Sequence, residues 1–204
     1  DDPTASEVGD WQKTYLEEEA KKEMFSFDSQ ELRQYFPYPN VRQGILDLTS
    51  NLFGVRFVQA QVPVWHPDVE AYEMLRGETL LGRFYLDMHP REDKYKHAAA
   101  FPIRTGVRGK QVPEAALICN FPGGGEDSGL MVHDQVETFF HEFGHCLHTL
   151  LSTVDTAGFA GTSVERDFVE APSQMFEEWV WAPEALSLFA THYETGEPMP
   201  EALI

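Results

Sequence analysis

The stretch from Gln135 to Leu151 constrains this chain most, because it is apolar on almost every side and yet carries several ionisable groups. Val136, Phe139, Phe140, Phe143, Cys146, Leu147, Leu150 and Leu151 make the pattern of a helix buried in a core. Glu137, His141, Glu142, His145 and His148 lie on that same helix. Burying so many such groups unpaired is expensive. A divalent cation resolves the conflict, and the spacing says where it sits. At about 3.6 residues per turn, positions i and i+4 stand one above the other, so the imidazoles of His141 and His145 converge on one ion. Glu142 lies one residue round from the first histidine, where its carboxylate reaches a water at the ion without coordinating. This His-Glu-x-x-His pattern is that of a zinc hydrolase with the glutamate as general base. Gly144 costs about 1 kcal/mol relative to alanine inside a helix, a loss that makes sense if backbone or substrate must approach closely there. The bland alternative is a set of core histidines satisfied by hydrogen bonds.

A catalytic zinc takes three protein ligands and keeps a fourth position for water. Carboxylates that could supply the third stand downstream at Asp155, Glu165, Asp167, Glu170, Glu177 and Glu178. Asp155, Glu165 and Glu178 read as solvated surface charges. The run Phe140-His141-Glu142-Phe143-Gly144-His145, followed by Gly161-Thr162 and Asp167-Phe168-Val169-Glu170-Ala171-Pro172-Ser173-Gln174, resembles the thimet oligopeptidase family of zinc peptidases. Tyr35-Phe36-Pro37, Val41-Arg42-Gln43-Gly44, Val64-Trp65-His66-Pro67-Asp68 and Gly82-Arg83-Phe84-Tyr85-Leu86-Asp87 extend the resemblance upstream in the same order. The resemblance implies that Glu170 is the third ligand, 170 − 145 = 25 positions after the second histidine, and so a gluzincin with one zinc ion per chain. It also implies a deep channel selective for short peptides. Segments that in this family carry a His and a Gly-Tyr-Tyr run have no match after Gln174, and the chain starts at Asp1-Asp2-Pro3. A fragment of the catalytic region, one lobe of a larger peptidase, is the expectation.

Around the ion, Glu137 is expected to orient His141 from four residues upstream, Asp167 to do the same for His145, and His148 to stand in the outer shell. The fold class expected is α+β and predominantly helical: a zincin-like catalytic region whose small, mostly antiparallel sheet packs on the zinc-binding helices. Residues 1–54 form a helical part, with helices over 7–24 and 40–53, and Trp11, Tyr15, Ala20 and Met24 as contacts of the first. Residues 55–121 form the sheet, with strands at Val55–Val62, Ala71–Leu75, Leu80–Met88, Ala98–Ile103 and Ala115–Asn120. Residues 122–204 form the zinc-binding helical part, with further helices at Met175–Trp181 and Pro183–His192. Pro122 to Gly129 reads as a flexible connector, and the loop Thr156 to Ser163 folds back toward the metal. His192-Tyr193 reads as a helix end.

A formal charge of −19 opposes nucleic acid and anionic membranes, and no apolar run approaches the ~18 residues of a membrane helix. Cys119 and Cys146 are too few for a disulfide framework. The cytoplasm is the expected compartment, with an exported form left open. The partners expected are short peptide substrates and the remainder of the parent chain. Hydrolysis of internal or near-terminal bonds of oligopeptides is the function these readings point to. Two rivals stand beside it: a zinc-binding but catalytically idle fragment, and a non-enzymatic module using metal for folding, which requires a closed four-ligand site with His148 as the fourth ligand.

Overall fold

The computed structural model describes residues 8–25, 29–124 and 129–203. Helices α1 (Lys13–Phe25), α2 (Ser29–Leu32) and α3 (Tyr38–Phe53) lead into strands β1 (Arg56–Gln59), β2 (Glu70–Arg76), β3 (Thr79–Asp87), β4 (Ala99–Arg104) and β5 (Glu114–Ile118). Helices α4 (His133–Leu150), α5 (Ala171–Glu177) and α6 (Pro183–Leu186) follow. The fold is α+β, and each of the five expected strands is present. Gly77 turns the β2–β3 hairpin with φ +59, a left-handed conformation that glycine adopts without a Cβ penalty. Of the glycine-rich connector, residues 125–128 lie outside the described residues, as does the start of the first expected helix.

The sheet runs in the order β1-β2-β3-β5-β4. All its pairings are antiparallel except β3 with β5. That parallel pair forces the chain after β3 to pass beyond the place β5 will occupy, lay down β4 at the edge, and return. A buried cation ties this crossing down. Lys94 Nζ donates to the carbonyls of Asp87, at the end of β3, of His89, and of Cys119, just past β5. It also sits 2.9 Å from the Asp87 carboxylate. Arg91 and the Trp65 indole complete the shell around Asp87, at 2.7 and 2.8 Å.

Helix α4 lies between the sheet and the C-terminal helices. Phe84 and Leu86 of β3, Ala115 and Leu117 of β5, and Phe139, Phe140, Phe143 and Cys146 of α4 share one core with Phe176 of α5 and Phe189. The same cluster reaches Val41 and Ile45 of α3, so residues from all three stretches of the chain contribute to it. The far face of the sheet carries a smaller cluster of Val69, Ala71, Tyr85 and Ala116.

Two expectations on helices need correction. The helix expected to run to His192 stops at Leu186, and the chain continues in tight turns that bury Phe189 and Ala190. A side chain at Gly44 would collide with the Phe189 ring, so α3 has a notch into which this turn fits. His192 and Tyr193 then anchor on Gln34, the ring through Gln34 Oε1 at 3.0 Å and the Tyr193 N–H through the Gln34 carbonyl at 2.8 Å. Trp11, in the turn before α1, and Tyr15, Ala20 and Met24 on α1 stand exposed. Helical spacing identified a face, but it carries no information about what covers it.

Candidate metal centre

His141 and His145 project from α4 on one face, as the i, i+4 relation requires, and their Nε2 atoms stand 3.2 Å apart. Glu170 caps the start of α5 and brings its Oε2 to 3.3 Å from His141 Nε2 and 3.0 Å from His145 Nε2. Packing at one glycine makes this possible. A Cβ on Gly144 would lie 2.7 Å from the Ser173 Cα and 3.1 Å from the Pro172 carbonyl, so only a bare backbone lets the first turn of α5 rest on α4. The close approach expected at Gly144 is therefore one of helix against helix. Ser173 steadies the carboxylate, its hydroxyl 2.9 Å from Glu170 Oε2. Between α4 and α5 the chain doubles back on the end of α4, where Gly161, at φ +57, sits so close that a Cβ would come within 2.9 Å of Thr149 Cα.

The chemistry of these donors suits a cation. The Glu177 carboxylate meets His141 Nδ1, so that in the neutral imidazole this nitrogen carries the proton and Nε2 keeps its lone pair. Two imidazole nitrogens and a carboxylate oxygen gather here, all within 4.8 Å of one another. A tetrahedral zinc with bonds of about 2.0–2.1 Å needs donors about 3.3 Å apart, close to the separations found here. Among the described residues this trio is the group that could hold a metal ion. His148 is not part of it. Its Nδ1 is buried without a hydrogen-bond partner and its ring lies against Phe168. A closed four-donor site is not what these residues form.

Glu142 of α4 is buried at 8% exposure, and the backbone of Ala100 on β4 lies near enough to act on its carboxylate. Burial pushes its pKa up, the charge of His141 and the Ala100 backbone pull it partly back, and Glu170 adds to the rise. Burial likewise holds His145 below the ordinary imidazole value. For Glu170, burial acts upward but is outweighed by the Ser173 bond and the charges of His145 and His141, so the carboxyl lies below its usual range.

The orienting carboxylates fall elsewhere than expected. Glu177 holds His141 in place of Glu137. Asp167 is exposed, and His145 Nδ1 has no hydrogen-bond partner among the described residues. Spacing carried a signal for Glu177: it follows Glu170 by seven positions, two helical turns, and so shares its face of α5. Ala100 had no such signal, because its role lies in its backbone.

The whole chain, residues 1–204, matches the description of Peptidase family M3. It is 40% identical to Oligopeptidase A of Escherichia coli over 97% of its own length and 30% of that protein. Saccharolysin of Saccharomyces cerevisiae is 35% identical over 95% of this chain and 29% of its own length. Dipeptidyl carboxypeptidase of Escherichia coli is 35% identical over 95% of this chain and 29% of its own length. The chain belongs to Peptidase family M3 and spans about three-tenths of the curated relatives it matches. No helix among the described residues is long and apolar enough to cross a membrane.

Proposed function

We propose that this chain carries the catalytic centre of a zinc-dependent, zincin-like peptidase that hydrolyses peptide bonds of short oligopeptides. The observation that supports it best is the convergence of His141, His145 and Glu170 beside a buried Glu142. A zinc ion held by those three ligands would supply Lewis acidity, lowering the pKa of a water and polarising the scissile carbonyl. Glu142 takes the proton of the attacking water and hands it to the leaving amine. Glu177 fixes the His141 tautomer, so that Nε2 faces the ion. β4 is an outer strand of the sheet and packs against α4, which carries Glu142. An extended peptide added to that edge places a backbone carbonyl next to the base. The oligopeptide substrate follows from the names of the relatives and the resemblance of the motifs. With three donors and a base beside them, hydrolysis fits the site better than purely structural metal binding.

Glu142→Gln in the full-length protein is expected to lower kcat by about 10²–10⁴ while metal content by elemental analysis stays at one zinc per chain. Cleavage of quenched peptides at the original rate by this variant would end the proposal.

A further inference from the structure

Four charged side chains form a ladder across the sheet. Glu73 on β2 stands opposite Arg83 on β3, Arg83 opposite Glu114 on β5, and Glu114 opposite Arg104 on β4. The ion pairs measure 2.7, 3.3 and 3.6 Å in that order. The signs alternate strand by strand and end on a cation. Glu73, Arg83 and Glu114 have side chains 30%, 22% and 8% exposed, whereas Arg104 is 54% exposed and belongs to the last strand of the sheet. Its only carboxylate among the ion pairs of the described residues is Glu114, which Arg83 already shares. Arg104 lines a cavity of about 790 Å³ together with Arg83, Arg108, Lys110 and Glu114, and Arg108 is matched by Asp155 at 2.9 Å. On a chain of net charge −19, this end of the edge strand is a local concentration of cations.

We infer that a substrate strand laid on the open edge of β4 continues the ladder with a carboxylate, so that the protein selects oligopeptides with a Glu or Asp opposite Arg104. This rests on the peptidase reading above and names its substrate class. The register follows from the backbone. The start of β4 packs against α4, which carries Glu142, and so sets the level of the cleaved bond near Ala100; Arg104 lies 104 − 100 = 4 positions further along. That is about 13 Å at about 3.3 Å per residue. The irregularity between Pro102 and Arg104 shortens the count on the added strand by up to one residue. Antiparallel pairing is the more stable, and it runs the peptide toward its amino end in the direction of Arg104. The acidic residue therefore lies three or four positions to the N-terminal side of the bond that is cut.

The test uses the full-length protein and quenched peptides of one parent sequence, with Glu, Gln or Lys placed in turn two to five positions before the cleaved bond. Glu is expected to exceed Gln by about two- to fivefold in kcat/KM at one of the two inner positions, with Lys below Gln. The gap should narrow at high salt. Arg104→Gln levels Glu with Gln, and Arg104→Glu reverses the order in favour of Lys. The scan on the unaltered protein stands even if a variant misfolds. A flat scan, or a Glu preference that survives Arg104→Gln, overturns the inference while leaving the peptidase reading intact. Absence of any metal-dependent cleavage overturns both.

Discussion

Two clusters of charge lie within this fold, and they are built on opposite principles. Around Asp87, one carboxylate meets Lys94, the Arg91 guanidinium and the Trp65 indole, while Lys94 also collects carbonyls of Asp87, His89 and Cys119. The Asp87 and Lys94 side chains are almost fully buried, at 3% and 2% exposure, and neither is among the described residues with an unpartnered buried atom. Around His141, by contrast, three electron-rich atoms face one another, and His145 Nδ1 has no hydrogen-bond partner among the described residues. The first cluster completes itself and holds the crossing that sets β4 at the edge of the sheet. The second is a group that could hold a cation from outside. A buried charge group matched by opposite charges serves the fold, and one that brings three potential metal donors together is suited to a ligand.

That contrast can be broken from either side. Lys94→Met strands Asp87 in the core and is expected to cost about 3–5 kcal/mol, read as a lowered denaturation midpoint. Lys94→Met combined with Asp87→Asn should recover part of the loss. If Lys94→Met is as stable as the parent, the cluster does not hold the fold. Zinc added to the metal-free protein at a hundredfold excess over its Kd should stabilise it by about 2.7 kcal/mol, and His145→Ala should erase the rise in melting temperature. An equal rise in that variant would move the metal elsewhere. Glu177→Ala is expected to weaken zinc binding about 10–100-fold, whereas Glu137→Ala should leave it unchanged; competition with a chelating dye separates the two. The smallest effect concerns pH. Burial raises the pKa of Asp87, but hydrogen bonds from Arg91, Trp65 and Lys94 prevail and hold it well below the carboxylate range. The folded state therefore favours the ionised form. Its contribution is present above the unfolded value of about 3.9 and is lost as pH falls through the folded value. For Lys94 burial prevails and its pKa is lowered, so the pair stabilises less than the Asp87 shift alone suggests. Asp87→Asn should flatten the acid end of a stability-versus-pH curve, and an unchanged slope would remove Asp87 as its source.

Much of this was legible in the chain itself. Alternating and β-branched runs placed all five strands, and helical periodicity placed α4 and the two histidines on one face. Gly144 was visible as a helix interior that needs close approach, though not as the seat of α5. Glu170 was reached through resemblance, because spacing alone left Asp167 and Glu177 as competitors. What failed were the partners of side chains. Glu137 was chosen for His141 because it shares its helix, whereas the carboxylate that arrives, Glu177, comes from across the packing interface. The buried Lys94 and the role of the Ala100 backbone had no pattern to reveal them.

Local sequence determined the pieces: a helix apolar enough to be buried, two imidazoles stacked on it by the 3.6-residue repeat with a carboxylate one residue round, and strands of period two. Those follow from backbone geometry within a few residues. Tertiary structure alone decided that β5 inserts beside β3 and leaves β4 at the edge next to Glu142, that α5 settles on Gly144 with Glu170 and Glu177 both turned to the histidines, and that the charged ladder ends on Arg104. Each of these joins residues far apart in the chain, and such contacts are set by which surfaces pack together, a property no single segment carries.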